Sequence, residues 1–541
     1  MRILRSPLGG SRFVRDYVAG ASRSSAFSQG SPFSAATYER KAAEVGSGTA
    51  AGKRESAAAI VKPVGPRAAR ALRAVLEGDG FFVTTGQQPA LLGGPLYSLY
   101  KALTAVRLAQ DLAGILARPV MPLFWIASDD HDWDEANHVH LIDQANELHR
   151  LTLGPNPGTV PRPLSRIPLG DAVIDAVTRL EQCFPRNEYR DRYIDLARKA
   201  FSPRATMASA FAALMAELLR DTPIGLVDAA DPLLKEASRP VLCAEAEDPA
   251  ASERAVRETS EALAAQRYGL QVPVIGGAVN LLTDLEGGRD RLQRANGGFV
   301  HRRSGRRISQ RALLTLIRDD PVRVSPNVLL RPVVEAAVFP SLAYVGGPGE
   351  LAYCGQLRGL FARHGVCMPV PVPRASLLVV EPKVSRVMDK FGLEPDELRD
   401  QGALLSRFAR DEVPPEADRA LARWREAVGS IAAELAESSA SIDPGLAGAV
   451  TRARNAGLAA LGTLEKKIVR AVKRRGETTR SQIGKASVNL WPNAKPQDRV
   501  LTPLQFLVRY GPGFVAAALG KAGVPIGEAG SRTGPERPDS A

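Results

Sequence analysis

Apolar residues in this chain gather into short runs closed by polar punctuation, and the spacing of the runs predicts alternating strands and helices. Phe81 to Thr85, aromatic and β-branched, reads as a strand that ends in Gly86-Gln87-Gln88-Pro89. Gly93-Gly94-Pro95 follows, and Leu99, Leu103, Val106 and Leu112 keep helical spacing across Leu96 to Ala113. Val120 to Ile126 is a second strand, so the three elements form one strand-helix-strand unit of the length a crossover between parallel strands needs. The alternation recurs: a helix over Thr206 to Leu219, a strand over Ile224 to Asp228, and a helix over Pro232 to Ala246. Val139 to Ile142 reads as a short strand, and Pro273 to Leu282 as strand and turn. Leu342 to Val345 is a strand that runs into Gly346-Gly347-Pro348-Gly349-Glu350 and a helix carrying Tyr353 and Gln356. Pro369 to Arg374 reads as an edge strand, because its prolines cannot feed a central ladder. This is an α/β pattern with a parallel-sheet core.

From Pro415 the period changes. Leu421, Trp424, Val428, Ile431, Leu435 and Ile442 step by threes and fours, as a heptad seam does. Beyond Asp443-Pro444-Gly445 a second helix carries Leu446, Val450, Leu461, Leu464, Ile468 and Val472 up to Gly476, which predicts an antiparallel hairpin. A lone hairpin covers both stripes poorly, so self-association is expected. The basic residues Lys466, Lys467, Arg470, Lys473, Arg474 and Arg475 read as a solvated face. The organisation expected is a core over residues 1–390 with insertions at about 151–205 and 285–325, a helical coiled-coil domain over 391–485, a segment returning to the core over 486–524, and a disordered Gly/Pro/Ser/Glu tail over 525–541. The basic stretch Arg289 to Arg307 is expected to be an exposed hairpin within the second insertion.

At 541 residues the chain exceeds one core, and its 45% apolar content includes no run near the roughly 20 residues that span a bilayer. The net charge of +13 invites a nucleic-acid reading. The excess is dispersed without aromatic residues interleaved, so nucleic-acid binding is not the main reading. Cys183, Cys243, Cys354 and Cys367 form no C-x-x-C and fit a reducing cytoplasm. Arg2, Arg5, Arg12 and Arg15 faintly resemble a transit peptide, but there is no apolar h-region, and secretion is set aside.

Candidate chemistry concentrates where the Val120 to Ile126 strand ends, in Ala127-Ser128-Asp129-Asp130-His131-Asp132-Trp133-Asp134-Glu135-Ala136-Asn137-His138-Val139-His140. Three of the chain's six histidines fall here. Residues beyond the carboxyl ends of parallel strands are free to serve a ligand. His131 is the best-matched base, since imidazole titrates near neutral pH, with Asp130, Asp132 and Glu135 to position an amine. Asp130, His131, Asp132, His138 and His140 are also ligand types for zinc or, through the carboxylates, Mg2+; no tightly bound transition metal is expected, the alternative being hydrogen bonding that shapes a pocket. The glycine turns after Thr85 and Val345 offer N–H groups, the first being equally readable as a tight turn that simply needs glycine, and Lys101 and Arg331 offer charge. Glu350 suits recognition of an amine or hydroxyl next to an acid, or else stabilises the helix it begins.

Thr85-Gly86-Gln87-Gln88, Gly94-Pro95-Leu96-Tyr97, Phe124-Trp125-Ile126-Ala127 with Asp130-His131-Asp132, Glu135 and Asn137-His138-Val139, Leu330-Arg331-Pro332, Gly346-Gly347-Pro348-Gly349-Glu350, and Trp491-Pro492-Asn493 with Gln497-Asp498-Arg499 resemble the bacillithiol-biosynthesis cysteine-adding family. The resemblance spans about residues 10 to 520. It departs at Ser128-Asp129, where the family more often shows Gly-Glu. It implies a Rossmann-like core related to class I aminoacyl-tRNA synthetases, with connecting insertions and a coiled-coil hairpin that forms a homodimer. It also implies the last step of bacillithiol formation, joining the carboxyl group of cysteine to the amine of glucosaminyl-malate. Such a condensation needs the carboxylate activated, so ATP (released as ADP or AMP) is expected, with Mg2+ compatible.

The catalytic candidates are His131, Asp130, Asp132 and Glu350. Substrate-binding candidates are Gly86, Gln87, Gln88, Gly94, Tyr97, Lys101, Trp125, Glu135, Asn137, His138, Arg331, Tyr344, Gly347 and Gly349. Trp491, Asn493 and Arg499 are candidates for the nucleotide. The alternatives are a metal-dependent hydrolase using the Asp/His cluster and a synthetase-like RNA-binding protein without catalysis.

Overall fold

The structure is a computed structural model, and it describes residues 1–46, 50–475 and 477–527. The chain divides into two units. The larger comprises Ile3–Leu378 and the chain from Asp498 onward; the smaller comprises Val379–Gln497 with the first two residues.

The larger unit is built on a six-stranded sheet: β1 (Lys62–Pro63), β2 (Phe81–Gln87), β3 (Val120–Ile126), β4 (Gly225–Asp228), β5 (Ser341–Gly346) and β6 (Val370–Pro373). Their order across the sheet is β6-β5-β2-β3-β4-β1. All neighbours are parallel except the short β1, which runs antiparallel to β4. Both faces are covered, so the inner strands are apolar without alternation. Phe81 and Val83 pack with Leu108, Leu112 and Val345 on one side, while Phe82, Met121, Leu123 and Trp125 enter the core on the other. The proline-rich β6 takes the edge, as expected. The crossover from β2 to β3 is the helix Tyr97–Leu116.

Two insertions leave this sheet. After β3 the chain forms an antiparallel hairpin, His138–Ile142 with Leu148–Thr152, then helices Ala172–Cys183 and Arg190–Ala200. Between β4 and β5 it builds a five-stranded antiparallel sheet from Ala278–Leu285, Gly288–Ala295, Gly298–His301, Arg307–Ile308 and Val324–Pro326. The basic stretch from Arg289 is therefore part of a β-subdomain with its own buried residues, Leu292 and Phe299, rather than an exposed hairpin. Gly288 starts the strand with φ +90°, and a Cβ there would lie 2.5 Å from the Pro161 carbonyl oxygen.

The helical unit contains Pro382–Phe391, Gln401–Asp411, the long pair Pro415–Ala440 and Leu446–Arg475, and Glu477–Leu490. Its limits differ from the boundaries expected near 390 and 486. Pro382–Phe391 packs against Glu477–Leu490, whose Ser487 Oγ donates to the Leu398 carbonyl at 2.8 Å, and Trp491, just after that helix, donates through Nε1 to the Pro395 carbonyl at 2.7 Å. The expected seam also splits. Leu421 and Leu461 are buried and Val428 is half-buried within the unit, whereas Trp424, Ile431, Leu435 and Ile442 are 53–80% exposed. At the other end, the Gly527 N–H donates to the Phe33 carbonyl at 3.0 Å, so residues 525–527 of the expected tail are tied to the larger unit. Residues 528–541, Gly476 and the side chains of Lys473, Arg474 and Arg475 lie outside the described residues. No helix among the described residues is long and apolar enough to cross a membrane.

Candidate functional site

From β2 the chain proceeds outward to β3 and β4, then returns to the other side of β2 as β5. The strand order therefore reverses between β2 and β5, the place where open parallel sheets form a crevice. A cavity of about 880 Å³ opens there, and the larger unit alone lines it.

Its floor is a buried ion pair. Lys101, one turn into the crossover helix, directs its ammonium group at the Gly86 carbonyl (2.8 Å), Gln87 Oε1 (2.9 Å) and the Glu350 carboxylate. Those acceptors use all three of its donors, so Lys101 supplies no free charge to a ligand, contrary to the expectation from sequence. Glu350 caps the helix Pro348–Cys354 by accepting from the Gly347 N–H at 2.8 Å, and it also accepts from the Tyr344 hydroxyl. The helix-stabilising alternative is thus the one observed, and the ammonium that the carboxylate meets is that of Lys101. Burial pushes its carboxyl pKa up, but Lys101 and these hydrogen bonds outweigh that and hold it below the ordinary value. Arg331 pairs with the buried Glu335 and lies over the Trp125 and Tyr344 rings, 5.7 and 5.2 Å from their centroids. Gln87 Nε2 donates to the Tyr97 hydroxyl at 3.1 Å. Burial, then the charges of Glu135 and Glu350, push the Tyr97 phenol up to about 12. Arg374, 5.3 Å from the Tyr97 centroid, is anchored by Asp498 at 2.6 Å.

The opposite wall begins where β3 ends. Asp129 is held at 2.8 Å by the buried Lys235, so the departure at Ser128-Asp129 serves two internal contacts: Asp129 with Lys235, and Ser128 Oγ with Asp228. Asp130 Oδ1 accepts from the His131 N–H at 2.6 Å and the Asp132 N–H at 3.3 Å. Arg289 is only 6% exposed, bonded twice to Ser325 Oγ (2.8 and 3.2 Å), and donates through Nη1 to His131 Nδ1 at 2.7 Å. A guanidinium has no acceptor, so Nδ1 is the accepting nitrogen and the neutral ring carries its proton on Nε2. Burial, then Arg289, lower the His131 pKa, with Asp130 opposing. His131 is thus presented as a neutral hydrogen-bond donor. The base role expected of it is closed while Arg289 occupies Nδ1.

Of the candidates named from sequence, Gly86, Gln87, Gln88, Tyr97, Lys101, Trp125, Asp130, His131, Arg331, Tyr344, Gly347, Gly349, Glu350 and Arg499 line the cavity. Others have structural work instead. Asp132 caps the short helix Trp133–Ala136 through the Glu135 N–H. Asn137 donates to the Gly154 carbonyl at 2.8 Å, and His138 lies on the hairpin with Nδ1 3.1 Å from both the Asp134 carbonyl and Asn137 Oδ1. Gly94 is packed in a tight turn beside Gly93, where a Cβ would meet the Ala90 side chain. Trp491 belongs to the helical unit and is buried, 5.6 Å beneath Arg399; Asn493 there occupies an exposed left-handed turn. Among the described residues, three metal-ligating side chains converge only at Asp143, Glu147 and His149, at the tip of the hairpin, and not in the expected Asp/His cluster. Arg289, Lys235, Arg291, Arg302 and Arg303 were missed. Lys235 left a trace in the sequence: with Ser238, Leu242 and Glu245 it keeps helical spacing on the buried face of Pro232–Glu247.

Residues 2–375 match the model of the bacillithiol biosynthesis BshC N-terminal Rossmann-like domain, and residues 377–523 match that of the BshC C-terminal coiled-coil domain. The chain belongs to this family. A relative from Salinibacter ruber is 33% identical over 443 residues, covering 81% of this chain and 80% of its own. Relatives from Symbiobacterium thermophilum (33% identical, covering 88% and 89%) and Koribacter versatilis (32%, covering 83% and 83%) are similar over most of their lengths. All three carry the name "Putative cysteine ligase BshC". The fold agrees with both family descriptions: a Rossmann-like parallel sheet and a long helical pair.

Proposed function

We propose that the chain is an amide-forming ligase of bacillithiol synthesis, joining the cysteine carboxyl group to the amine of glucosaminyl-malate with consumption of ATP. The observation that carries this reading is the cavity at the β2/β5 reversal, with an ionised carboxylate, Glu350, on its floor and the Arg289–His131 pair on its opposite wall. A carboxylate becomes an acyl donor when one of its oxygens attacks a phosphorus atom of ATP, forming an acyl adenylate as the bond to pyrophosphate breaks or an acyl phosphate as the bond to ADP breaks. The amine then attacks the carbonyl carbon, the carbon–oxygen bond to phosphorus-bearing oxygen breaks, and AMP or phosphate leaves.

This chain's residues have roles suited to those events. Glu350, whose side chain is 21% exposed and whose Oε1 accepts from the Tyr344 hydroxyl, attracts an ammonium group. The Nε2–H of His131 and the Arg289 guanidinium meet the negative charge that develops on carbonyl or phosphoryl oxygen, in a site where such donors need little reorganisation. Asp130, whose Oδ1 accepts the two N–H bonds, offers Oδ2 to take the proton released by the amine. Mg2+ would accompany the nucleotide phosphates. The proposal extends to a homodimer in which a second copy covers the outer stripe of Trp424, Ile431, Leu435 and Ile442.

The test is mass spectrometry of purified protein incubated with cysteine, glucosaminyl-malate, ATP and Mg2+. The expected product has the mass of the two substrates less one water, and AMP or ADP identifies the route. Absence of product and of nucleotide turnover would contradict the proposal.

A further inference from the structure

The β-subdomain turns a row of arginines toward the cavity that the site described above leaves unused. Arg291 lies on Gly288–Ala295, and Arg302 and Arg303 begin the turn after Gly298–His301. All three line the cavity, and all three are exposed. Among the described residues none of their side chains meets an acidic partner. The pairing of His301 with Leu292 continues through the Arg302 N–H to the Arg291 carbonyl at 3.1 Å. That register sets the Arg302 and Arg291 side chains opposite each other on one face, an arrangement of like charges that destabilises a ladder. The fold keeps this repulsion next to a cavity whose inner end carries two more donors for an anion, buried Arg289 and the Nε2–H of His131. Neither nearby carboxylate forms an ion pair with the three arginines. Glu253 is taken by Arg257 and Arg294, and Asp290 accepts from the Arg291 backbone N–H at 2.7 Å.

We propose that Arg291, Arg302 and Arg303 form the subsite for the triphosphate chain of a nucleoside triphosphate, laid along the β-subdomain wall with its reacting phosphorus toward Arg289 and His131. Several closely spaced anionic oxygens match several forked donors, and their charge removes the repulsion the empty rim carries. The assignment rests on the nucleotide-dependent ligase reading and adds where the nucleotide phosphates lie. A dicarboxylate such as the malyl group shares some of this chemistry, and binding measurements separate the two.

The test uses the full chain with Arg302→Ala/Arg303→Ala and with Arg291→Ala, exposed positions whose truncation leaves the core intact. Calorimetric titration with ATP and Mg2+ is expected to show affinity at least about tenfold weaker in the double variant, from loss of two charge-assisted contacts. Glucosaminyl-malate binding should be unchanged. Without nucleotide, the melting temperature of Arg302→Ala should equal or exceed the parent's, while the rise caused by ATP shrinks. ATP affinity indifferent to all three positions, no ATP binding by the parent, or weakening of glucosaminyl-malate alone would overturn the assignment. Product formation with ATP affinity unaffected would remove the subsite and leave the ligase reading. Arginine-dependent ATP binding with no amide product would do the reverse.

Discussion

Glu350 shows how one side chain is fixed by its neighbours. It lies at the reversal point with Lys101, Tyr344 and the Gly347 N–H directed at it, and Lys101 is 3% exposed. Breaking a buried pair by removing one partner leaves a charge without compensation, at a cost of about 3–5 kcal/mol. Lys101→Met is therefore expected to lower the unfolding free energy, read by denaturant titration, by that amount, and Lys101→Met/Glu350→Gln to recover much of it. Equal stability of Lys101→Met and parent would show that the pair is solvated. Arg289 offers a second test. Burial and this guanidinium hold the His131 pKa below its ordinary 6.5, so the neutral ring persists to lower pH than a free imidazole would. Activity that needs the neutral ring is lost as pH falls through the lowered pKa. Arg289→Met removes one of the two lowering causes and should move the acid limb of the kcat/KM profile upward, toward 6.5, while burial keeps the shift partial. An unmoved limb would contradict the contact. His131 and Glu350 were legible in the sequence because each lies in a dense motif at a strand end. Arg289 was not, since its partner is 158 residues away and its local setting is a generic basic stretch.

At the scale of elements, Val120–Ile126 and the crossover helix were readable because a parallel strand buried on both faces and a helix with apolar residues at threes and fours leave distinct periods. The helical pair was readable as two helices, but its contact face was not. Threes-and-fours spacing marks a broad stripe, and the structure gives its inner edge to the hairpin while Trp424, Ile431 and Leu435 face outward. In the turn after β2, chain geometry alone accounts for a glycine. Gly93 has φ +86°, and a Cβ there would lie 3.1 Å from both Leu214 Cδ2 and Pro503 Cγ. Gly93→Ala is expected to cost about 1–3 kcal/mol, read as a lower denaturant midpoint. A midpoint equal to the parent's would mean the turn relaxes freely.

For the molecule as a whole, the exposed apolar stripe and the cavity define the two claims. If a second copy covers the stripe, sedimentation of the parent should give a dimer and Ile431→Lys/Leu435→Lys a monomer that keeps its helical content; a monomeric parent would contradict the dimer. The claim that the cavity activates a carboxylate through phosphorus is tested most directly with cysteine labelled with ¹⁸O at both carboxyl oxygens. In a single incubation with glucosaminyl-malate, ATP and Mg2+, each amide formed should keep one label while the other appears in AMP or inorganic phosphate, and Glu350→Ala should lose both signals together. Amide product accompanied only by unlabelled AMP and phosphate would contradict that chemistry.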